Sequence, residues 1–287
     1  MGPGQLASRG NFLRAPTTPG AIPLRPLTTG ELLDAATSLL RTRAPVLLGA
    51  GFLLALLEQA VLFPLREQAD VVNAVFPNEE HWGWYWVLLT VGFATEAWCI
   101  AVLGGLSSAA APRAILGTAA PTRPVRLGSA AVVSLVVALA CGLAAGAFVT
   151  WPVAYLLLGL AMPAVVIDRL GPGAALLRSL RLSSRFVMRA GWIRLLGYTS
   201  WLVIRLATGL GGWFALRLLI DTGTAERDHL VTGLAWLMVN TIAYPVLACL
   251  DAVLHLETRM RTEGLDITLQ RALRRGVSAE AALAVPK

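Results

Sequence analysis

Apolar runs of membrane-crossing length, separated by short charged stretches, set the pattern of this chain. A helix needs about 20 largely apolar residues to cross the hydrocarbon of a bilayer. By that measure the pattern predicts six spans. The first is 45–64, closed by Pro64, and the second is 83–106, entered through His81-Trp82-Gly83-Trp84-Tyr85-Trp86. Residues 127–167 then run without a charge. As one helix they would measure about 60 Å, twice the hydrocarbon thickness. The run therefore folds in two at Thr150-Trp151-Pro152, where proline suits a first helical turn. That gives spans at 127–149 and 152–168, followed by 192–219 and 230–256.

Two other stretches show helical periodicity with a polar side. Thr28 and Glu31 have the spacing of a capping box, and Leu32, Leu33, Ala36, Leu39 and Leu40 form one stripe of a helix over 28–43. Glu31 and Asp34 sit in its first turn and Arg41 and Arg43 in its last, as the helix dipole prefers. In 172–189, Arg178, Arg181, Arg185 and Arg189 fall along one side, with Leu176, Leu180 and Val187 on another. Both stretches read as amphipathic helices at the membrane surface. Each precedes two spans of the same orientation, a hint of two repeated units.

Composition agrees with this picture. The chain is 56% hydrophobic and 14% charged, with a mean hydropathy of +0.66, too apolar for a soluble core of this size. Nearly all of the 24 basic residues fall in four segments: 1–43, the loop after the second span, the stretch before the fifth, and 259–287. All but Lys287 are arginine, which reads as GC-rich coding bias. The alternate loops hold Arg66 and Arg227 against Glu67, Asp70, Glu79, Glu80, Asp221, Glu226 and Asp228. The positive-inside rule then puts both termini in the cytoplasm and the protein in the inner (plasma) membrane. It also assigns the pI near 10.1 to anionic headgroups rather than to nucleic acid. The expected fold is all-α: a six-span bundle over 28–258 with two cytoplasmic interfacial helices. Residues 1–27 read as a disordered tail without the apolar core of a signal peptide, and 259–287 as a cytoplasmic tail with a short helix.

Three stretches carry a family likeness. "RPLTTGELLDAATSLLRTRAPVLL", "MPAVVIDRLGPGAALLRSLRLSSRFVMR" and "YPVLACLDAVLHLETRMRTEGLDITL" resemble the opening, middle and final signatures of bacterial membrane proteins labelled glycerophosphoryl diester phosphodiesterase membrane domain. Together they cover about a third of the chain. The resemblance implies a polytopic helical membrane domain. It does not imply the phosphodiesterase, which in fused members belongs to a separate soluble barrel of about 250 residues; outside the membrane region this chain has only its two tails. The resemblance thus points to stand-alone members of unknown role.

Ionisable groups inside spans are the best pointers to function, because lipid burial is costly unless they are paired or hydrated. Five qualify: Glu58, Glu96, Arg205, Arg217 and Asp251. At about 1.5 Å per residue, Glu58 and Arg205 lie at matching depth, with Glu96 within reach. The functional reading is a polar site lined by Glu58, Gln59, Glu96, Arg205 and Asn240, suited to a charged headgroup or a proton relay. The alternative is a buried ion pair that fixes helix register. Arg217 can meet Asp221 or snorkel outward. Asp251, His255 and Glu257, followed by Arg259, read as a boundary salt-bridge cluster rather than a metal site. Arg178, Arg181, Arg185 and Arg189 are candidate contacts to anionic lipid. His81 and His229 are expected as solvated loop residues at the outer rims, and Trp82, Trp84, Tyr85 and Trp86 as an aromatic belt. Ala130, Ser134, Ala138, Gly142 and Gly146 make a small-residue ridge for close packing. Cys99, Cys141 and Cys249 read as buried reduced thiols.

No nucleophile elbow, Walker loop or His-Glu-x-x-His occurs, so no catalytic residue, metal or cofactor is expected. The expected role is a membrane scaffold or partner subunit in envelope or lipid-linked processes, with membrane lipids and a membrane-protein partner as contacts. The alternative is a transporter or lipid-handling protein built on the buried Glu/Arg site.

Overall fold

The computed structural model describes residues 23, 25–71, 79–116, 125–147, 150–219, 224–275 and 283, without the side chains of 185–188, 225 and 273. Most of the expected tail 1–27 and the end of the chain lie outside the described residues. Among the described residues every regular element is a helix. In chain order they are α1 (Thr29–Thr42), α2 (Ala44–Ala69), α3 (Trp82–Leu116), α4 (Leu127–Gly146), α5 (Trp151–Leu158), α6 (Ala161–Val166), α7 (Pro172–Leu219), α8 (Ala225–Glu263) and α9 (Leu265–Arg274), with one 3-10 turn before α3. Five of them are long and apolar enough to cross a membrane: α2, α3, α4, α8 and the part of α7 from Arg189 onward.

The expected stretch 152–168 is not one helix. It breaks between α5 and α6, around Gly159 and Leu160. Pro163 has no N–H to return to the Gly159 carbonyl, and its ring crowds that carbonyl. The Leu157 carbonyl, in the last turn of α5, lacks a donor from its own helix. Ser179 Oγ on α7 donates to it at 2.6 Å, and Ser183 Oγ reaches it at 3.4 Å. At the break the Arg194 side chain passes so close to Gly159 that a Cβ there would overlap its Nε.

The boundary expected between 172–189 and 192–219 is also absent. α7 is one helix of 48 residues, about 72 Å long and more than twice the hydrocarbon thickness. No proline lies between Pro172 and Pro245, so no ring breaks its backbone hydrogen bonds. Its first half buries Ala175, Ser179, Leu182 and Ser183 against protein and leaves Leu177 and Leu180 exposed. α2 likewise runs past Pro64 to Ala69 and stops where Asp70 turns left-handed (φ 49°). One lost hydrogen bond at Pro64 is outweighed by the packing of α2 on α3 and α8.

α1 has the expected capping box: Thr28 Oγ1 accepts from the Glu31 N–H and Glu31 accepts from the Thr28 N–H. Its stripe turns to protein. Leu32, Ala35, Ala36 and Leu39 are buried in the core formed with α8 and the end of α3, whereas Leu33 is exposed, as is Asp34. α8 is the hub of the bundle. About 78% of its apolar stretch is buried, against 11% for that of α7, so α7 is peripheral over its second half. The small-residue ridge of α4 packs on α3 within the chain: a Cβ on Gly142 would sit 2.8 Å from Ala94 Cβ and 3.1 Å from the Thr90 carbonyl. The three cysteines are buried and unbridged.

Candidate functional site

Four helices bring their polar side chains together. Glu58, Gln59 and Arg66 come from one face of α2, because seven or eight residues return a helix to the same side. Glu96 comes from α3, Arg205 from α7, and Asn240 and Tyr244, one turn apart, from α8. All seven are buried. Arg205 donates through Nη1 to Glu96 at 2.7 Å, through Nε to Asn240 Oδ1 at 2.9 Å, and through Nη2 to the Tyr244 hydroxyl at 3.3 Å. Glu58 accepts from Tyr244 at 2.7 Å, from Asn240 Nδ2 at 2.9 Å and from Gln59 Nε2 at 3.2 Å. Gln59 Oε1 accepts from Arg66 Nη2 at 2.6 Å. The result is one hydrogen-bonded chain from Arg66 to Glu96.

This chain of groups borders a cavity of about 290 Å³. The cavity runs from Glu58, Glu96, Arg205 and Asn240 to Val71, Tyr85 and Trp213 near the far ends of their helices, away from α1 and α9. All five side chains expected to line a buried polar site do line it. The matching depths of Glu58 and Arg205 are met through Asn240 and Tyr244, while Glu96 makes the direct ion pair. Sequence reasoning missed Arg66 and Tyr244. Arg66 follows Leu62 and Glu58 at intervals of four on one helix face, a signal hidden once the helix is taken to end at Pro64.

The other end of the bundle is built differently. Asp251 receives a two-pronged bond from Arg194, Nε to Oδ1 at 2.6 Å and Nη2 to Oδ2 at 3.1 Å, and the guanidinium lies 3.5 Å over the Tyr155 ring. The space beside this pair is about 10 Å³. Asp168 accepts from Arg259 at 2.7 Å and Arg178 at 2.9 Å, and His255 Nε2 lies 3.0 Å from it. Burial pushes its carboxyl up, but His255, Arg259 and Arg178 outweigh that and hold it at about 2. Glu263 bridges Arg178 and Arg259. Glu257 pairs with Arg189 and Arg261, and both arginines also donate to the Leu27 carbonyl.

Asp251, His255, Glu257 and Arg259 are thus buried but do not converge on one centre: Asp251 faces Arg194, Glu257 faces Arg189 and Arg261, and His255 and Arg259 share Asp168. Among the described residues no group of three His, Cys, Asp or Glu side chains has a metal-holding arrangement. Of the four arginines proposed to meet lipid, Arg178 and Arg189 are committed to carboxylates, Arg181 is exposed, and the Arg185 side chain lies outside the described residues. Arg217 pairs with Asp228 at 3.2 Å; Asp221 lies outside the described residues. His229 is not a solvated loop residue. It sits in the second turn of α8, buried, with its ring edge-on to Phe63. Trp82, Trp84 and Trp86 are exposed, whereas Tyr85 lines the cavity.

No family model, curated protein or solved structure matches this chain. The family likeness therefore rests on the three sequence stretches alone.

Proposed function

We propose that this chain is a six-span protein of the inner membrane, with both termini in the cytoplasm, that holds a small polar or amphipathic ligand between α2, α3, α7 and α8. The observation that carries the reading is the cavity of about 290 Å³ bordered by Glu58, Gln59, Glu96, Arg205 and Asn240. Mostly apolar walls with a few convergent polar groups are the usual make-up of a small-molecule site. A cavity in the membrane region gives a transport or lipid-handling role a place to work, so that role stands ahead of a plain scaffold. The role is binding rather than catalysis. α5 and α6 together supply the fourth crossing, and the arginine distribution supports the orientation. On the cytoplasmic face, exposed Leu177, Leu180 and Arg181 supply the contact with anionic lipid.

The test is native purification in mild detergent with mass spectrometry of whatever remains bound. A retained molecule should be displaced by Leu62→Trp, which fills the cavity between Glu58 and Arg66, with Leu210→Trp as the alternative filler. If neither filler displaces anything, the cavity is not the site. A partner subunit has one observation on its side: the apolar stretch of α7 is 11% buried, against 78% for α8. Stoichiometric co-purification of a second protein, lost on placing arginine at Val203, is the outcome that reading requires.

A further inference from the structure

The geometry points to a ligand that carries an acidic group, phosphate or carboxylate, gripped by Arg66. This rests on the ligand-binding reading above and names the chemistry of its site. Arg66 is 7% exposed and lines the cavity. A guanidinium buried in a membrane helix is costly unless an anion answers it. Arg194 and Arg205 each face a carboxylate, Asp251 and Glu96. Arg66 faces an amide. Its Nη2 donates to Gln59 Oε1, and its Nη1 has no partner.

Among the described residues that line the cavity, no acid is free to take it. Gln59 stands between Arg66 and Glu58, and Glu58 is occupied by Gln59, Asn240 and Tyr244. Glu96 is occupied by Arg205. A second donor lines the same cavity unanswered: Trp213 Nε1 is buried without a partner, and an indole N–H can only donate. Two N–H donors without a partner around one cavity, one of them charged, ask for an acceptor-rich anion, and the Tyr198 hydroxyl on the same cavity is also without a partner. Phosphate and carboxylate oxygens match guanidinium geometry best. The volume suits a headgroup-sized ligand, with Leu62, Leu206, Leu210 and Trp236 to receive its carbon part.

The anion is either a lipid headgroup or a free ion, and one experiment separates them. The full chain is reconstituted in nanodiscs of phosphatidylcholine with phosphatidylglycerol, released into mild detergent and read by native mass spectrometry. In parallel, its thermal midpoint is followed with inorganic phosphate. Retention of phosphatidylglycerol at least tenfold above phosphatidylcholine, cut at least tenfold by Arg66→Gln and by Leu62→Trp but largely kept by Arg66→Lys, supports a lipid headgroup. Stabilisation by phosphate that Arg66→Gln abolishes, without selective lipid retention, supports a free anion. Retention and stabilisation unchanged in Arg66→Gln, or absent from the wild type, overturn the proposal. If Leu62→Trp still displaces a neutral or cationic molecule in that case, the cavity reading survives; if it displaces nothing, both fall. Should Arg66→Gln fail to fold, Trp213→Phe decides: a several-fold drop in binding supports the proposal and an unchanged value overturns it.

Discussion

α7 carries two buried arginines eleven positions, or about three helical turns, apart on one face: Arg194 and Arg205. Each is paired with a carboxylate on a neighbouring helix, and there the likeness ends. Arg194 and Asp251 close on each other in two bonds, under the Tyr155 ring, with about 10 Å³ beside them. Arg205 spreads its donors over Glu96, Asn240 and Tyr244 and borders about 290 Å³. The first arrangement is a lock: with both charges buried and so little room beside them, losing either strands the other. The second has room for water or ligand, so its charges can be re-solvated when a partner is lost. The contrast extends along the molecule. At the α1 and α9 end, Asp168, Glu257 and Glu263 are each held by at least two arginines. At the cavity end Arg66 donates to an amide, and no carboxylate among the described residues pairs with it.

The largest effect is expected where the lock is broken. Asp251→Ala should cost about 3–5 kcal/mol by stranding Arg194, read as a fall in thermal midpoint and folded yield in detergent. Adding Arg194→Met should recover most of that loss; no recovery would mean the pair is not the source. Next comes acid. Asp168 titrates at about 2 in the folded chain, below the ordinary value near 3.9. Its contribution is therefore complete above about pH 4 and lost as pH falls from 4 towards 2. The size is on the order of 2 kcal/mol, and Asp168→Asn should flatten the stability curve in that window.

Glu96→Gln should cost less, about 1–2 kcal/mol, because Asn240 and Tyr244 still hold Arg205 and the cavity can hydrate it. A cost equal to that of Asp251→Ala would erase the difference between the two ends. The smallest effect on stability is expected for Glu58→Gln, under about 1 kcal/mol. Folded yield should persist in that variant while binding in the cavity changes. If only yield falls, Glu58 is structural.

Much of the architecture was legible in the residues. The helix starts at Thr28 and at Trp151-Pro152 follow from local chemistry, a reciprocal cap and a proline in a first turn. Glu58, Gln59, Glu96, Arg205 and Asn240 could be grouped because a polar side chain in an apolar run must find company, and depth along each span limits which company. Arg66, Tyr244, Arg194 and Asp168 were not grouped with them. Arg66 lay past a proline taken as a stop, and the tolerance of α2 for Pro64 depends on packing that no local pattern records. Arg194 and Asp168 sat at predicted span edges, where charge is ordinary and raises no question.

By itself the sequence determined what each stretch can do alone: which runs are apolar enough to cross a membrane, where helices start, and where charge collects. Those follow from interactions between near neighbours and from the transfer of side chains out of water. The tertiary structure decided which charges meet and which stay unanswered. Arg205 reaches Glu96 across 109 positions and Tyr244 reaches Glu58 across 186. Such pairings depend on how helices rotate against one another, and that is set by packing over the whole bundle, including the contacts of Gly142 on Ala94 and of Arg194 over Gly159. The same packing leaves Arg66 facing a cavity instead of an acid.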